Sequence, residues 1–136
     1  MITAVDTSVL LDVFSADPEH LASSQKALRR AIREGSLVAC EVVWAELRPW
    51  FPSDESLLRA MDTLHVTFSP LSLEAALLAG KTWQKYRSSG GTRDRMIPDF
   101  LIASHALDSA ERLLTRDRGF YRKHFSGLPI LNPLHE

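Results

Sequence analysis

The chain has 136 residues and a formal net charge of −1. This length suits a single domain over residues 1–136 that buries a core without a stabilising disulfide or metal. Hydrophobic residues make up 45% of the chain and charged residues 24%, as in ordinary globular proteins. The near-zero charge excludes nucleic-acid binding through an overall basic excess. A local arginine patch beside an acidic site would still average to this value.

Cysteine content and hydropathy indicate the compartment. Cys40 is the only cysteine, which excludes an internal disulfide and fits a reducing environment. Because it follows an apolar run, we expect Cys40 to be buried. No apolar stretch approaches the roughly 20 residues of a membrane span, and the N-terminus lacks the pattern of a signal peptide. We therefore expect a cytoplasmic protein with no membrane segment.

Short apolar runs alternate with helical patterns along the chain. The strand candidates are residues 2–5, 37–40, 66–68, 113–115 and 129–131. The helix candidates are residues 8–14, 17–34, 41–47, 53–64, 72–86, 100–113 and a short segment after Asp117. Strands that alternate with helices predict an α/β fold with a parallel sheet, and strands that are apolar throughout predict helices on both faces.

One predicted helix and one predicted loop have clear local signals. Ser72 is a suitable N-cap for a helix on which Leu73, Leu77 and Trp83 keep helical spacing. Residues 88–95 combine serine, glycine and arginine and predict a loop. That loop leads directly to Pro98 and the long apolar helix.

Acidic side chains occupy positions that a parallel sheet would bring together. Asp6 ends the first strand and Asp117 follows the fourth, and sites in α/β sheets form at such carboxyl ends. Asp99 lies in the first turn of the apolar helix, and Glu46 lies on the short helix after the second strand. Asp99, Asp117 and Glu46 each have an ordinary explanation as a cap, turn or surface residue. Asp6 does not, because an acid at the end of a buried strand needs a partner. We expect Asp12, farther along the first stretch, on the surface.

Carboxylates that converge on one edge repel each other unless a cation lies among them. Oxygen ligands suit Mg²⁺ or Mn²⁺, whereas the five histidines are scattered without ligand spacing. We expect His105, on the apolar helix, in the core. A divalent ion held by carboxylates activates water and polarises a phosphoryl oxygen, which suits hydrolysis of a phosphodiester. Thr7, Ser8 and Thr115 are placed to orient water or the carboxylates.

Four blocks of sequence together resemble a known family. They are Asp6-Thr7-Ser8-Val9-Leu10-Leu11-Asp12, Ala45-Glu46-Leu47, the segment 98–106 that begins Pro98-Asp99-Phe100, and the segment 113–120 that contains Thr115-Arg116-Asp117. In this order and spacing they resemble the acidic blocks of a PIN domain. More narrowly, the chain is similar to VapC-type toxins of bacterial and archaeal toxin–antitoxin pairs.

The resemblance implies a fold, an activity and partners. The fold would be a three-layer α/β/α sandwich with a mostly parallel five-stranded sheet. The activity would be endoribonuclease cleavage that depends on Mg²⁺ or Mn²⁺ and leaves a 5′-phosphate, with Asp6, Glu46, Asp99 and Asp117 as the acidic set. Asp6 and Asp99 would be the primary metal ligands. Such proteins commonly form homodimers and are inhibited by a cognate antitoxin.

Some residues depart from the family pattern or add charge beside it. Many relatives have an acid two residues before the third conserved aspartate, where this chain has Ile97. Glu41 is an additional acid near Glu46. Arg93 and Arg95 are the best candidates for contacts to RNA phosphates, and Arg116 and Arg118, on either side of Asp117, are second choices. An alternative role for this second pair is to neutralise the acidic cluster.

Two aromatic residues beside prolines, Trp50 and Phe51, suit either a binding surface or the cover of the core. The main alternative to an enzyme is a PIN-like module that binds RNA or a protein without catalysis. The intact acidic set favours the enzyme, and an RNA-cleavage assay discriminates between the two.

Overall fold

The computed structural model describes residues 1–91 and 97–135. The strands are β1 (Ile2–Val5), β2 (Ser36–Ala39), β3 (Val66–Phe68), β4 (Arg112–Leu114) and β5 (Ile130–Leu131). The helices are α1 (Thr7–Phe14), α2 (Leu21–Glu34), α3 (Glu41–Leu47), α4 (Asp54–Thr63), α5 (Leu73–Ser88), α6 (Ile97–Ser109) and α7 (Arg118–His124). Two short 3₁₀ turns cover Arg48–Trp50 and Pro133–His135.

All five strands are parallel and lie in the order β3-β2-β1-β4-β5. The chain steps outward from β1 to β3 and then returns to the other side of β1 for β4 and β5. Thr3 therefore pairs with Leu37 on one side and with Arg112 on the other. This reversal makes a topological switch between β1 and β4, where the crevice of an α/β sheet opens.

Helices cover both faces of the sheet, as predicted. Parallel crossovers are right-handed, so connections that step in opposite directions from β1 lie on opposite faces. Helix α6 packs against β1 and β4 and also along α5, while α2 packs against α1 and β2. The core contains Val5, Leu37, Phe100 and Leu113, all buried. The predicted α/β/α sandwich with a parallel sheet is therefore confirmed.

Helix α2 begins later and helix α6 begins and ends earlier than predicted, and side-chain hydrogen bonds and strand pairing explain the start of α2 and the end of α6. Helix α2 begins at Leu21 rather than near Asp17, whose Oδ1 accepts hydrogen bonds from the backbone N–H groups of Glu19 and His20 in a turn. Helix α6 ends at Ser109 rather than at residue 113. The backbone N–H of Glu111 donates to the carbonyl of Ile2, which draws this segment into the sheet.

Helix α5 presents its leucines to solvent rather than to the core. Leu73 is 70% exposed and Leu77 is 56% exposed, whereas Ala75 and Ala79 are buried. The small alanine side chains let α5 lie close along α6. The helical spacing read from Leu73 and Leu77 is real, but it marks the outer face.

Three other expectations concern buried groups and the membrane. Cys40 and His105 are both buried, as predicted. The Nε2 atom of His105 lies 2.9 Å from the hydroxyl oxygen of Ser69. Within the described ranges, none of the helices has the length and apolar character needed to cross a membrane.

Candidate active site

The candidate site opens at the switch between β1 and β4. Asp6 is the residue after β1, and its backbone N–H donates to the carbonyl of Leu114 at 2.9 Å, which ties the two strand ends together. Thr115 and Asp117 follow β4 at the same edge. The local pattern of a short apolar strand followed by a polar residue thus places three functional side chains side by side.

Asp6 is a buried carboxylate, 8% exposed, with hydrogen bonds to one oxygen. Thr115 donates its hydroxyl hydrogen to Oδ2 of Asp6 at 2.7 Å, and the Tyr121 hydroxyl approaches the same oxygen at 3.4 Å. Burial raises the pKa of Asp6 to about 6, against the lowering effect of the Thr115 hydrogen bond, and the charges of Asp99 and Glu46 add to the rise. The negative charges of Asp99 and Glu46 therefore disfavour the ionised form of Asp6.

Glu46 reaches the site from α3 and is fixed by α1. The hydroxyl of Thr7 donates to Oε1 of Glu46 at 2.7 Å. Thr7 is the first residue of α1 and immediately follows Asp6, so the strand end positions both acids. The predicted role of Thr7 in orienting a carboxylate agrees with this contact.

Asp99 and Asp117 approach from two other elements. Asp99 lies in the first turn of α6, where an acid is favoured by the helix dipole. Asp117 precedes α7, and its backbone N–H donates to the hydroxyl oxygen of Thr115 at 3.1 Å. Thr115 thus holds Asp6 with its hydrogen and the backbone of Asp117 with its oxygen.

These four acids line one cleft of about 460 Å³. Its other lining residues are Thr7, Ser8, Leu11 and Arg116. Four elements that are distant in sequence therefore deliver the acidic set to one place, as the sequence predicted. Tyr121 was not among the predicted site residues. The sequence signal for Tyr121 is its position four residues after Asp117. This spacing places it one helical turn further along, with its hydroxyl close to Asp6.

The acids do not form a closed metal cage as they stand. Across residues 1–91 and 97–135, no three histidine, cysteine, aspartate or glutamate side chains are grouped closely enough to hold an ion. The cleft gathers the four carboxylates around a shared space instead. Magnesium commonly takes only one or two protein carboxylates and keeps several waters, and such a looser arrangement suits it.

Asp12 is buried, and the expectation that it lies on the surface was wrong. It is 3% exposed, on the face of α1 that α2 covers. Its Oδ2 accepts from Nε of Arg116 at 2.8 Å, its Oδ1 accepts from Nη2 of Arg116 at 3.0 Å, and Ser24 donates to Oδ2 at 2.6 Å. A local sequence pattern does not show that α2 docks on this face.

The remaining predicted residues fall outside the cleft or outside the described ranges. Arg93 and Arg95 lie outside the described residues. Glu41 is exposed at the start of α3, and its Oε1 accepts from the backbone N–H of Leu71 at 2.9 Å. It does not line the cleft. Ile97, at the position where many relatives have an acid, is half-buried against the core.

The family model of the PIN domain matches residues 3–126, nearly the whole chain. The chain therefore belongs to the PIN domain family. A search of curated protein sequences found no match to the chain.

Solved structures show the same fold at low sequence identity. The structure of VapBC2 from Rickettsia felis bound to a promoter DNA fragment matches with a TM-score of 0.74 and 20% identity, covering 97% of this chain and 98% of that chain. VapBC-1 from nontypeable Haemophilus influenzae matches with a TM-score of 0.74 and 22% identity, covering 98% and 99%. A toxin–antitoxin complex from Klebsiella pneumoniae matches with a TM-score of 0.68 and 22% identity, covering 96% and 97%.

Proposed function

We propose that this PIN domain is a metal-dependent endoribonuclease and the toxin of a toxin–antitoxin pair. The observation that carries the proposal is the convergence of Asp6, Glu46, Asp99 and Asp117 on one cleft at the switch of the sheet. A binding module would have no need for four acids in a cleft that must accept a polyanion. A nuclease needs them, because its reaction requires positive charge at the phosphate and a base for water.

The residues fit a divalent cation such as Mg²⁺ or Mn²⁺. Above about pH 6 the buried Asp6 carboxylate is ionised although burial, Asp99 and Glu46 all oppose its charge. A cation among these oxygens would offset that cost, with Asp6 and Asp99 as its primary ligands and Glu46 and Asp117 completing the set directly or through water. When bound, the ion supplies Lewis acidity at the phosphoryl oxygen and lowers the pKa of nearby water.

The protein groups around the cleft have distinct tasks in this proposal. Thr115 fixes the carboxylate of Asp6, and Thr7 fixes that of Glu46, so that neither acid has to be reorganised when RNA binds. The Glu46 carboxylate is placed to accept a proton from the attacking water, and Ser8 to orient it. The bond between phosphorus and the 3′-oxygen then breaks, which leaves a 5′-phosphate on the downstream RNA fragment and a 3′-hydroxyl, protonated from solvent, on the upstream fragment.

The substrate in this proposal is RNA, and its phosphates need positive partners. Arg116 lines the acidic cleft and its side chain is partly exposed, which supports a contact with a phosphate. Arg93 and Arg95 stay predictions for the same task.

The second partner in this proposal is a cognate antitoxin. Structures with this fold include one described as a toxin–antitoxin complex, which supports such a partner. Trp50 is 62% exposed on the turn after α3, whereas Phe51 packs edge-on against Phe14 with ring centroids 5.3 Å apart. Trp50 is therefore the aromatic residue that remains available for a protein contact, while Phe51 covers the core.

A homodimer is the proposed assembly, with α5 as its contact. Glu74, Leu77, Leu78 and Lys81 follow each other at helical spacing on the exposed side of α5. An antiparallel contact between two copies would bury the leucines and set the acidic end of one helix beside the basic end of the other.

The test of the nuclease is RNA cleavage by purified protein with Mg²⁺, with Mn²⁺ and with EDTA. We expect cleavage only with a divalent ion, and a loss of at least about 100-fold for Asp6→Asn, Glu46→Gln, Asp99→Asn or Asp117→Asn. Glu41→Gln is the matched control, because Glu41 is a carboxylate on α3 outside the cleft. RNA binding without cleavage, unchanged by EDTA and by all four substitutions, would establish the non-catalytic binding module instead.

The test of the toxin role is growth on induced expression. We expect growth arrest with the wild-type chain and none with Asp99→Asn. Co-expression of the product of a neighbouring small gene should relieve the arrest. RNA cleavage by the purified protein without growth arrest, and without relief by a neighbouring gene product, would indicate a nuclease that acts without an antitoxin.

A further inference from the structure

A buried hydrogen-bonded cluster joins α1, α2 and the segment after β4 beside the acidic cleft. Arg116 contacts Asp12 side-on through Nε at 2.8 Å and Nη2 at 3.0 Å. Ser24 donates to the same carboxylate at 2.6 Å. Asp12 therefore accepts three hydrogen bonds while 3% exposed, which fixes its position and that of the guanidinium.

The backbone after β4 directs Arg116 away from the acids. Successive side chains of an extended segment point to opposite sides. Thr115 points to Asp6, and Arg116 points to the α1–α2 side, where Asp12 receives it. Arg116 nevertheless lines that cleft together with the four acids.

The side-on contact leaves part of the guanidinium for another ligand. Nε and Nη2 donate to Asp12, and within the described residues Nη1 donates to no side chain. The Arg116 side chain is 27% exposed. A fixed guanidinium whose Nη1 donates to none of the described side chains, at the proposed nuclease cleft, is suited to an anionic oxygen.

Without the contact to Asp12, Arg116 would have other carboxylates with which to pair. Four acids line the same cleft, and a free guanidinium beside them would pair with one of them and occupy the space proposed for a cation. Asp17 is a further competitor: backbone hydrogen bonds from His20 and Glu19 lower its pKa, and the Arg116 charge adds to that effect. The contact with Asp12 prevents both rearrangements.

We propose that Asp12 and Ser24 are positioning residues that hold Arg116 at the rim of the cleft to bind an RNA backbone phosphate next to the one that is cleaved. This inference rests on the proposed nuclease function. Asp12 and Ser24 themselves do not touch RNA. They act by denying Arg116 to the carboxylates of the cleft and to Asp17, and by aiming its Nη1 outward.

A second arginine, at the start of β4, provides a matched control. Arg112, at the start of β4, donates through Nε to Thr3 at 2.9 Å and through Nη2 to Glu34 at 2.9 Å. It is buried at the opposite end of the strands and does not line the acidic cleft. Glu34→Gln therefore disrupts a comparable arginine–carboxylate pair without a connection to the site.

The experiment measures binding of a short fluorescein-labelled single-stranded RNA in EDTA over a series of salt concentrations. We expect Arg116→Ala to weaken binding about tenfold and to reduce the salt dependence by the contribution of about one phosphate contact. Asp12→Asn should give most of the same loss, and the double variant should be no worse than Arg116→Ala. Ser24→Ala, the milder variant, should weaken binding in the same direction with little loss of stability.

The sign of the Asp12→Asn effect separates positioning from a structural role. Removing a negative charge near a polyanion site tightens binding if Asp12 only supports the fold, because the net charge becomes more favourable. Asp12→Asn that binds RNA as well as or better than wild type would overturn the inference, as would an equal loss for Glu34→Gln. A wild-type protein that neither binds nor cleaves RNA would instead refute the nuclease, and the inference with it.

Discussion

Thr115 donates its hydroxyl hydrogen to Asp6 at 2.7 Å, although the two residues are 109 positions apart in the chain. The same hydroxyl accepts from the backbone N–H of Asp117 at 3.1 Å. One threonine at the end of β4 therefore aligns the acid from β1 with the acid before α7. The parallel pairing of β1 with β4 makes this contact possible, because both strands end at the same edge.

Thr115→Val tests the importance of this contact for the proposed cleavage. The hydrogen bond from Thr115 lowers the pKa of Asp6, so its loss raises the pKa further. If the ionised form of Asp6 is the active one, the acidic limb of the pH–rate profile moves to higher pH. We also expect activity at neutral pH to fall about tenfold.

Thr115→Ser is the control for this substitution, because it retains the hydroxyl and should keep the wild-type profile. A valine variant with an unshifted acidic limb would show that Asp6 does not depend on Thr115.

Asp6→Asn should abolish cleavage and at the same time stabilise the metal-free protein. Burial raises the pKa of Asp6 from 3.8 to about 6, so the folded state binds more protons than the unfolded state between these values. Wild-type stability therefore falls as the pH rises through this window, by about 3 kcal/mol for a shift of roughly two units. Asparagine carries no charge and still accepts from Thr115, so it avoids this loss.

The measurement is chemical unfolding in EDTA across the pH range. The variant should be the more stable protein above about pH 6, and the difference should vanish below about pH 4. Mg²⁺ should stabilise the wild type and have little effect on Asp6→Asn. A variant that is less stable than wild type at every pH would contradict the electrostatic origin of the Asp6 shift.

The acidic set was predictable because its signals are local and its geometry follows from the sheet. Asp6 and Asp117 follow short apolar strands, and parallel strands end at one edge. Asp99 follows a proline at a helix start. Glu46 is less obvious, because the sequence of a short helix does not show which way its side chains point. Its place in the acidic set came from the resemblance to the PIN family.

Other parts of the site depend on tertiary packing and could not be predicted in the same way. Asp12 is buried because α2 covers one face of α1, and nothing in the first stretch states which face that is. Tyr121 resembles a core aromatic until its hydroxyl is seen near Asp6. On α5, alanines rather than leucines face α6, because close packing of two helices favours small residues over large ones at their contact.

Leu77→Glu tests the exposed face of α5 as the homodimer contact. Leu77 is 56% exposed, so the substitution should leave the folded monomer intact, with a free energy of unfolding within about 0.5 kcal/mol of wild type. In a symmetric contact, the introduced glutamate would be buried beside the same glutamate of the second copy. Because the two charges repel each other, we expect the dimer to dissociate. Light scattering coupled to gel filtration measures the mass.

Leu58→Glu is the matched control, because Leu58 is an exposed leucine on α4. It should leave the dimer unchanged. A wild-type chain that is monomeric at all concentrations, or a dimer that survives Leu77→Glu, would exclude this face.

His105 should make the protein less stable on acidification. Burial lowers its pKa from the ordinary value of 6.5, and the charges of Glu41 and Asp108, which act in the opposite direction, are outweighed. The unfolded state therefore binds more protons than the folded state between the lowered pKa and 6.5. The contribution of neutral His105 is complete above pH 6.5 and is lost as the pH falls through the lowered pKa. His105→Gln keeps a neutral polar group near Ser69 and should remove this loss.

Because Asp6 titrates with the opposite sign between about pH 4 and pH 6, the informative quantity is the difference in unfolding free energy between wild type and variant. That difference should move in favour of the variant as the pH falls, and a constant difference would show that His105 has the same pKa in both states.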